Sequence, residues 1–433
     1  MVRKINENAA GIDIGSRSHF VAIQTGEVRE YSSYTSSLEE MALWLKESGV
    51  ETIAMESTGV YWIPAFELLE SKGFDVNLVD AKQAKNMPGR KTDVSDCQWI
   101  QELHSFGLLT SAFRPNDQIA ALRSLVRQKD NLIKQSSTEI LHMQKALEQM
   151  NIKLTNVLRF ITGQTGMKII RAIVKGERDS LKLAEHRHKS CKRSKEEIAE
   201  ALKGNFREEH LFSLKQSLAA YDFYQKLIKE CEAKISNALK KLSKLKKKIV
   251  KNKKDISIKE HLVGITGVDL TAVNGIGDIS ALIIVSEISD VSKFKSEKHF
   301  ASWLGLCPGS KKSGGKVLSG KTKNVTNRIT QTLKMAANSL YRSQSALGAY
   351  FRRMKFRKGP AKAITATAHK IAKIIYNMLK FKKPYTDPGI DKYEKNIKML
   401  KIKKFNKLAL ELGVDLSEKA RDSLNNQFLS VIQ

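Results

Sequence analysis

Cysteine is scarce and badly placed for chemistry. Cys97, Cys191, Cys231 and Cys307 lie far apart and form no CxxC pair. Neither a disulfide framework nor a zinc site is suggested, and a reducing cytosol fits. The nine histidines show no HExxH and no paired Cys/His spacing. No run of 18 apolar residues exists, so no membrane span is expected. The opening "MVRKINENAAGIDIG" has no apolar core of a signal peptide, so none is expected there.

Acid is the other shortage. Against 75 Lys and Arg stand 45 Asp and Glu, a formal charge of +30 over 433 residues. Such an imbalance calls for a polyanionic partner, most simply nucleic acid. The deficit is uneven. From Lys298 to Thr386 there is no acid at all, against 20 Lys and Arg. A solvated helical surface normally mixes signs, so this stretch is the expected nucleic-acid face.

The length allows two or three domains. Residues 8–115 read as three strands, helix, strand, helix, strand, helix. The strands are "AAGIDIG", "HFVAIQT", "EVREYSSYT", "ETIAMEST" and "DVNLVD". "SLEEMALWLKESG" is a helix with a Ser cap, "GVYWIPAFELLESKG" is one with Pro64 in its first turn, and "DVSDCQWIQELHSFGL" begins another near Asp93. A heptad follows over 117–150: Ile119, Leu122, Val126, Ile133, Ile140, Met143, Leu147 and Met150, lapsing at Lys129 and Ser136. A second places Leu214, Tyr221, Ile228, Ile235, Leu242 and Ile249 seven apart. Two such helices predict a coiled-coil arm or a dimer stalk. Residues 151–210 read as helical insertions, and "KKLSKLKKKIVKNKK" closes the arm. Beyond 263 the chain reads as mainly helical, with a Gly hairpin "NGIG", a glycine-rich loop, and helices at 324–341 and 360–381. The expected class is α/β plus α: 1–115 catalytic domain, 116–262 arm with insertion, 263–386 C-terminal domain, 387–433 helical tail.

Four carboxylates fall where one site could use them. Asp13 is inside the first strand, Glu56 ends the fourth, and Asp93 and Asp96 share one face of the helix after the fifth. A strand-borne carboxylate among apolar neighbours is costly unless paired or metal-bound. Oxygen-only donors suit Mg²⁺, or Mn²⁺. Two such ions about 4 Å apart could activate one phosphodiester oxygen and stabilise the leaving one. Taken singly, each residue could equally be a helix-end, strand-end or surface charge.

"CPGSKKSGGKVLSGKTKN" at 307–324 is glycine-rich and lysine-lined. Its backbone could approach a phosphate, at Gly314 and Gly315 above all, and a serine there could attack phosphorus. By chemistry alone Ser310, Ser313 and Ser319 are rivals, and a Ser beside Gly-Gly is more often a turn residue. Lys312 and Lys316 are candidate phosphate clamps. Gly275 and Gly277 of "NGIG" could present backbone N–H groups to DNA in a helix–hairpin–helix manner, or simply stop a helix. Lys321 and Arg328 belong to the acid-free stretch. In "YFRRMKFRKGPAK", Arg352, Arg353 and Arg357 interleave with aromatics, a pattern suited to phosphates and unpaired bases.

"GIDIG", "AMESTGVYW" and "GRKTDVSDCQWI" resemble the DEDD-type transposases of bacterial insertion sequences, and "VNGIGDISALIIVSEISDVSKFKSEKHFASWLGLCPGSKKSGGK" is similar to that family's second domain. The resemblance covers roughly 8–150 and 263–382. It implies an N-terminal RuvC-like (RNase H) domain holding Mg²⁺ through Asp13, Glu56, Asp93 and Asp96, and Ser313 as the nucleophile. It also implies donor and target DNA, a structured non-coding guide RNA, and dimers that pair into a tetramer. The rival expectations are a metal-only nuclease of the Holliday-junction-resolving kind and a non-catalytic nucleic-acid-binding protein.

Overall fold

The structure is a computed structural model that describes residues 4–79, 92–243, 257–288, 290–309, 311–325 and 327–412. Its contacts divide the chain into two compact units, 1–114 and 115–433.

The first unit is a five-stranded sheet with helices on both faces. Its strands are β1 (Ala9–Ile14), β2 (Ser18–Ala22), β3 (Val28–Ser32), β4 (Thr52–Glu56) and β5 (Asp75–Val79), in spatial order β3-β2-β1-β4-β5. The first three form an antiparallel meander, while β4 and β5 run parallel to β1. Central β1 is buried on both faces, hence its nearly unbroken apolar run. Helices α1 (Thr35–Glu47) and α2 (Trp62–Ser71) cover one face, where Ile12 and Ile14 meet Met41, Leu45, Phe66 and Leu69. Pro64 sits in the first turn of α2, as the sequence predicts. The Ser cap expected for α1 is replaced by Tyr34, whose side chain caps nothing.

Helix α3 (Asp93–Ser105) lies on the opposite face, and Gly11 sets how close. A Cβ there would stand 2.3 Å from the Gln101 nitrogen and 2.4 Å from the Cys97 carbonyl oxygen. Only hydrogen fits. Gln101 Nε2 also donates to the Ala9 carbonyl, 3.1 Å away. Gly11→Ala should therefore overpack a backbone contact that cannot yield, at a cost of about 1–3 kcal/mol. Gly320→Ala, in open space, should be close to neutral, and thermal melts of the two variants check the difference.

The second unit is helical. The 117–150 heptad is one helix, α4 (Asp117–Gln149). Short helices α5 (Leu154–Val157), α6 (Gln164–Val174), α7 (Ser180–Ala184) and α8 (Lys195–Ala201) follow, and α9 (Glu208–Leu242) returns antiparallel to α4. The insertion is thus a helical cap with its own core, where Ile169, Ile173 and Leu183 pack with Met143, Leu147 and Leu214. Both lapses in the first heptad are cross-helix pairs. Lys129 bonds Glu232 at 2.7 Å, and the Gln225 amide donates to Ser136 at 2.9 Å. The same seven-residue step up α4 and down α9 separates them, so they define one register. Ile133, expected in the seam, is 41% exposed, and its neighbour Leu132 is buried instead. The basic close of the arm enters the last turn of α9 with Lys240 and Lys241, and its remainder from 244 to 254, with Ile249, lies outside the described residues.

Helices α10 (Ile258–Thr266), α11 (Asp278–Glu287) and α12 (Glu297–Trp303) continue the unit, with a 3₁₀ turn at Leu270–Ala272 before the "NGIG" segment. The expected glycine-rich loop is instead a hairpin, β6 (Lys311–Ser313) and β7 (Lys316–Ser319). Next come α13 (Arg328–Ser339), α14 (Ala346–Lys358), α15 (Pro360–Phe381) and α16 (Gly389–Glu411). Among the described residues no helix is long and apolar enough to cross a membrane.

The seam of α9 is filled by α4 of the same chain, so it is not free to join protomers, contrary to the dimer-stalk alternative. Replacing buried Ile228 and Ile235 with Asp should melt the arm, at about 3 kcal/mol or more for the pair. Circular dichroism should show lost helix. A drop in mass by light scattering with helix content unchanged would contradict the intrachain pairing.

Candidate functional site

Side chains alternate across a strand. Gly11 faces α3, so Asp13 faces it too. The parallel register of β1 and β4 runs Gly11 to Ala54 and Ile12 to Met55. Continued one place, it sets Glu56 beside Asp13 on the same face, at the C-terminal ends of both strands. Glu56 accepts a hydrogen bond from Thr58 Oγ1 at 2.7 Å. The start of α3 is fixed by a capping box, in which the Thr92 hydroxyl accepts from the Ser95 amide at 3.1 Å and the Ser95 hydroxyl accepts from the Thr92 amide at 2.9 Å. Asp93 and Asp96 therefore occupy the first turn of α3, where the helix dipole favours acids.

One group registers the charge of this corner. Cys97 is buried, and its thiol is pushed from the usual 9.0 up to about 12. Burial is the main cause, followed by the charge of Asp13 and, more weakly, of Asp96. All-oxygen donors and negative potential fit a hard divalent cation in kind. The carboxylates are not drawn to a common point: among the described residues no three His, Cys, Asp or Glu side chains form a group able to hold an ion.

Cys97 should accordingly resist alkylation at pH 9 in the folded protein, while the half-buried Cys191 and Cys231 react. Asp13→Asn should speed its labelling by removing a negative neighbour, read by mass spectrometry. Below about pH 9 the thiol is neutral in both folded and unfolded chains. Between about 9 and 12 only the unfolded thiol ionises, so its contribution to stability is lost as pH rises.

The serine segment has a different geometry. Ser313 ends β6 and pairs with Lys316 across a two-residue turn, Gly314–Gly315, with φ of 54° and 75°. Two successive positive φ values make this a primed turn, which demands glycine-like residues. Ser313 is an exposed turn-flanking residue, and among the described residues its hydroxyl has no side-chain partner to take its proton. Gly314, Gly315 and Lys316 are exposed beside it. Lys312 contributes backbone pairing to Val317. Lys321 is exposed, and its amide donates to Ser319 Oγ at 3.3 Å. The rival Ser310 lies outside the described residues.

The other candidates divide. Gly275 (φ 90°) packs against α13, where a Cβ would meet the Ala336 carbonyl oxygen at 2.8 Å. Gly277 precedes α11 in open space. Arg328 is engaged inside the unit, paired with Asp130 and 4.0 Å from Glu287. Arg352 donates to the carbonyls of Ser343 at 2.6 Å and Tyr341 at 3.2 Å. Arg353 lies over the Tyr393 ring, and Arg357 is exposed at the end of α14. A feature that sequence reading missed is the Glu287 carboxylate, 7% exposed and bidentate to Arg127 at 2.8 and 2.9 Å, with Arg123 at 3.1 Å. Nothing in its local sequence marks it, because its partners come from α4, some 160 residues earlier.

A family model described as "Transposase", of the DEDD type, matches residues 10–152, and one described as "Transposase IS116/IS110/IS902 family" matches residues 269–352. Together they span more than half of the chain, which belongs to the IS110-type transposase family of insertion sequences. Among relatives, it is 31% identical over 117 residues to a protein named as transposase y4pF/y4sB of Sinorhizobium fredii, covering 25% of this chain and 30% of that one. It is 36% identical over 64 residues to a protein named as a family 20 transposase of Pseudomonas aeruginosa, covering 15% and 19%. The aligned segments thus span less than a third of either relative.

Proposed function

We propose that this protein cuts and rejoins DNA strands as an RNA-guided transposase, with a RuvC-like acidic site and a serine nucleophile. What supports the reading is that Asp13 and Glu56 fall at the ends of adjacent parallel strands and that Asp93 and Asp96 open the helix packed on that face, in a chain of this family. Asp13, Glu56, Asp93 and Asp96 would hold Mg²⁺ or Mn²⁺, which when bound would polarise phosphate oxygens and lower the pKa of a coordinated hydroxyl. The meander followed by two parallel strands supports the RuvC-like assignment. Ser313 sits at an exposed, glycine-flanked tip where a DNA backbone can approach without steric conflict. Attack by its Oγ on phosphorus would displace a sugar oxygen, leave a phosphoserine diester and conserve the bond energy for rejoining.

The guide RNA would supply sequence choice through base pairing, while protein contacts read shape and backbone. Exposed Phe356, 94% accessible between Lys355 and Arg357, suits stacking on an unpaired base. The acid-free stretch from Lys298 to Thr386, the turn glycines Gly275 and Gly277, and the arm of α4 and α9 would then serve as nucleic-acid surface, phosphate contact and coiled-coil spacer. Paired cuts require at least two active sites, hence a dimer or tetramer on DNA in the cytoplasm.

A second reading is a metal-only nuclease in which Ser313 is a turn residue, and its place beside the Gly314–Gly315 turn supports that role. The two readings separate on a denaturing gel. Wild type with Mg²⁺, guide RNA and DNA should give a protein–DNA adduct. Asp13→Ala and Ser313→Ala should each lower recombination at least a hundredfold, in line with loss of a nucleophile or its activator. Equal cutting by Ser313→Ala would leave the metal-only nuclease.

A further inference from the structure

On the face formed by α14, α15 and α16 two cations, Lys370 and Arg353, are held together around tyrosine rings. Lys370 Nζ stands 4.6 Å from the centre of the Tyr350 ring and 5.4 Å from that of Tyr393. The Arg353 guanidinium lies 5.7 Å from the same Tyr393 ring, and the two tyrosines meet edge to face at 6.5 Å. Neither Lys370 nor Arg353 has an ion pair among the described residues. Burial, and then the charge of Arg353, hold the Lys370 ammonium below the usual lysine range. Ring faces offset only part of the cost of withdrawing two like charges from water.

Two further polar groups are stranded there. Arg353 Nε and the Tyr393 hydroxyl are buried without a hydrogen-bond partner. Buried polar atoms in this condition call for an unseen ligand or water. Beside them opens a cleft of about 370 Å³, lined in part by Arg352, Arg353, Tyr393, Lys398 and Lys401, with Glu394 its one acid. Four cations against one carboxylate, together with unused donors, make a receptor for a compact anion with several acceptor oxygens. Tyr393, Lys398 and Lys401 lie in α16, beyond the 269–352 family match.

We infer that the cleft between α14 and α16 binds a phosphate group through Arg353, Tyr393, Lys398 and Lys401. A nucleic-acid backbone and a free phosphate present the same chemistry. Only the choice of the backbone rests on the proposed function; the anion site does not.

The test uses the full chain and two probes: a fluorescent 20-nucleotide single strand followed by anisotropy, and inorganic phosphate followed by ³¹P line broadening. Lys398 and Lys401 are exposed, so Lys398→Gln with Lys401→Gln leaves the fold intact. Oligonucleotide affinity should fall about tenfold, and the log–log salt slope should drop by about 0.7, the single-strand value for one lost phosphate. Glu394→Gln should act in the opposite sense and tighten binding a few-fold. Tyr393→Phe should weaken it with the fold unchanged. If both probes respond, the cleft takes backbone phosphate. If inorganic phosphate alone responds, the site binds a free phosphate. The inference is overturned if neither probe responds. It is also overturned if Lys226→Gln with Lys229→Gln on α9, which removes equal charge elsewhere, causes the same loss. None of these readings requires DNA cutting, so failure of the proposed reaction would register separately.

Discussion

The closeness of α3 to β1 is the contact on which the acidic corner depends. It exists because Gly11 has no side chain: a Cβ would lie 2.3–2.4 Å from backbone atoms of Gln101 and Cys97. With a larger residue the helix would ride higher, and its first turn would leave the sheet end that carries Asp13 and Glu56. The capping box at Thr92 and Ser95 then fixes where that turn begins, and so which way Asp93 and Asp96 project. Two local rules, one steric and one of hydrogen bonding, set the first turn of α3 toward the sheet end that carries Asp13 and Glu56, while among the described residues the four carboxylates are not drawn to a common point.

A single carboxylate plays a comparable part in the helical unit. Glu287 ends α11 almost fully buried, and it is tolerated there because Arg123 and Arg127 of α4 satisfy its oxygens. Arg123 also donates to the Glu287 carbonyl at 2.7 Å, closing a helix end that would otherwise keep an unpaired acceptor. Arg328, at the start of α13, pairs with Asp130 and lies near the same carboxylate. Removing one member would strand a buried charge, which costs more than the intact network gains. The network ties α4 to α11 and α13, so the arm is anchored by charge where the heptad alone would allow it to slide.

Much of this was legible from residue order. The five strands, the first-turn position of Pro64 and the start of α3 at Asp93 follow from short-range patterns, because period, caps and turn residues act within a few positions. The two heptads were legible as helices for the same reason. Their lapses looked like defects, yet Lys129 meets Glu232 and Ser136 meets Gln225. A partner 89 or 103 residues away leaves no local trace. Leu132 in place of Ile133 in the seam has the same origin, since α9 selects which face of α4 is covered.

The serine segment shows the limit most sharply. Glycine richness and charge marked residues 307–324 as notable, but a loop and a hairpin share that composition, and pairing across Gly314–Gly315 decides between them. Sequence by itself determined the elements, their order, the four carboxylates and the sign of the surface, because each is carried by residue type and short-range spacing. Tertiary structure alone decided that Asp13 and Glu56 are neighbours, that Arg328 is spent inside the unit, and that Lys370 and Arg353 meet at the Tyr393 ring. Those outcomes depend on which residues from distant helices and strands meet, and side-chain pairing at long range is set by packing.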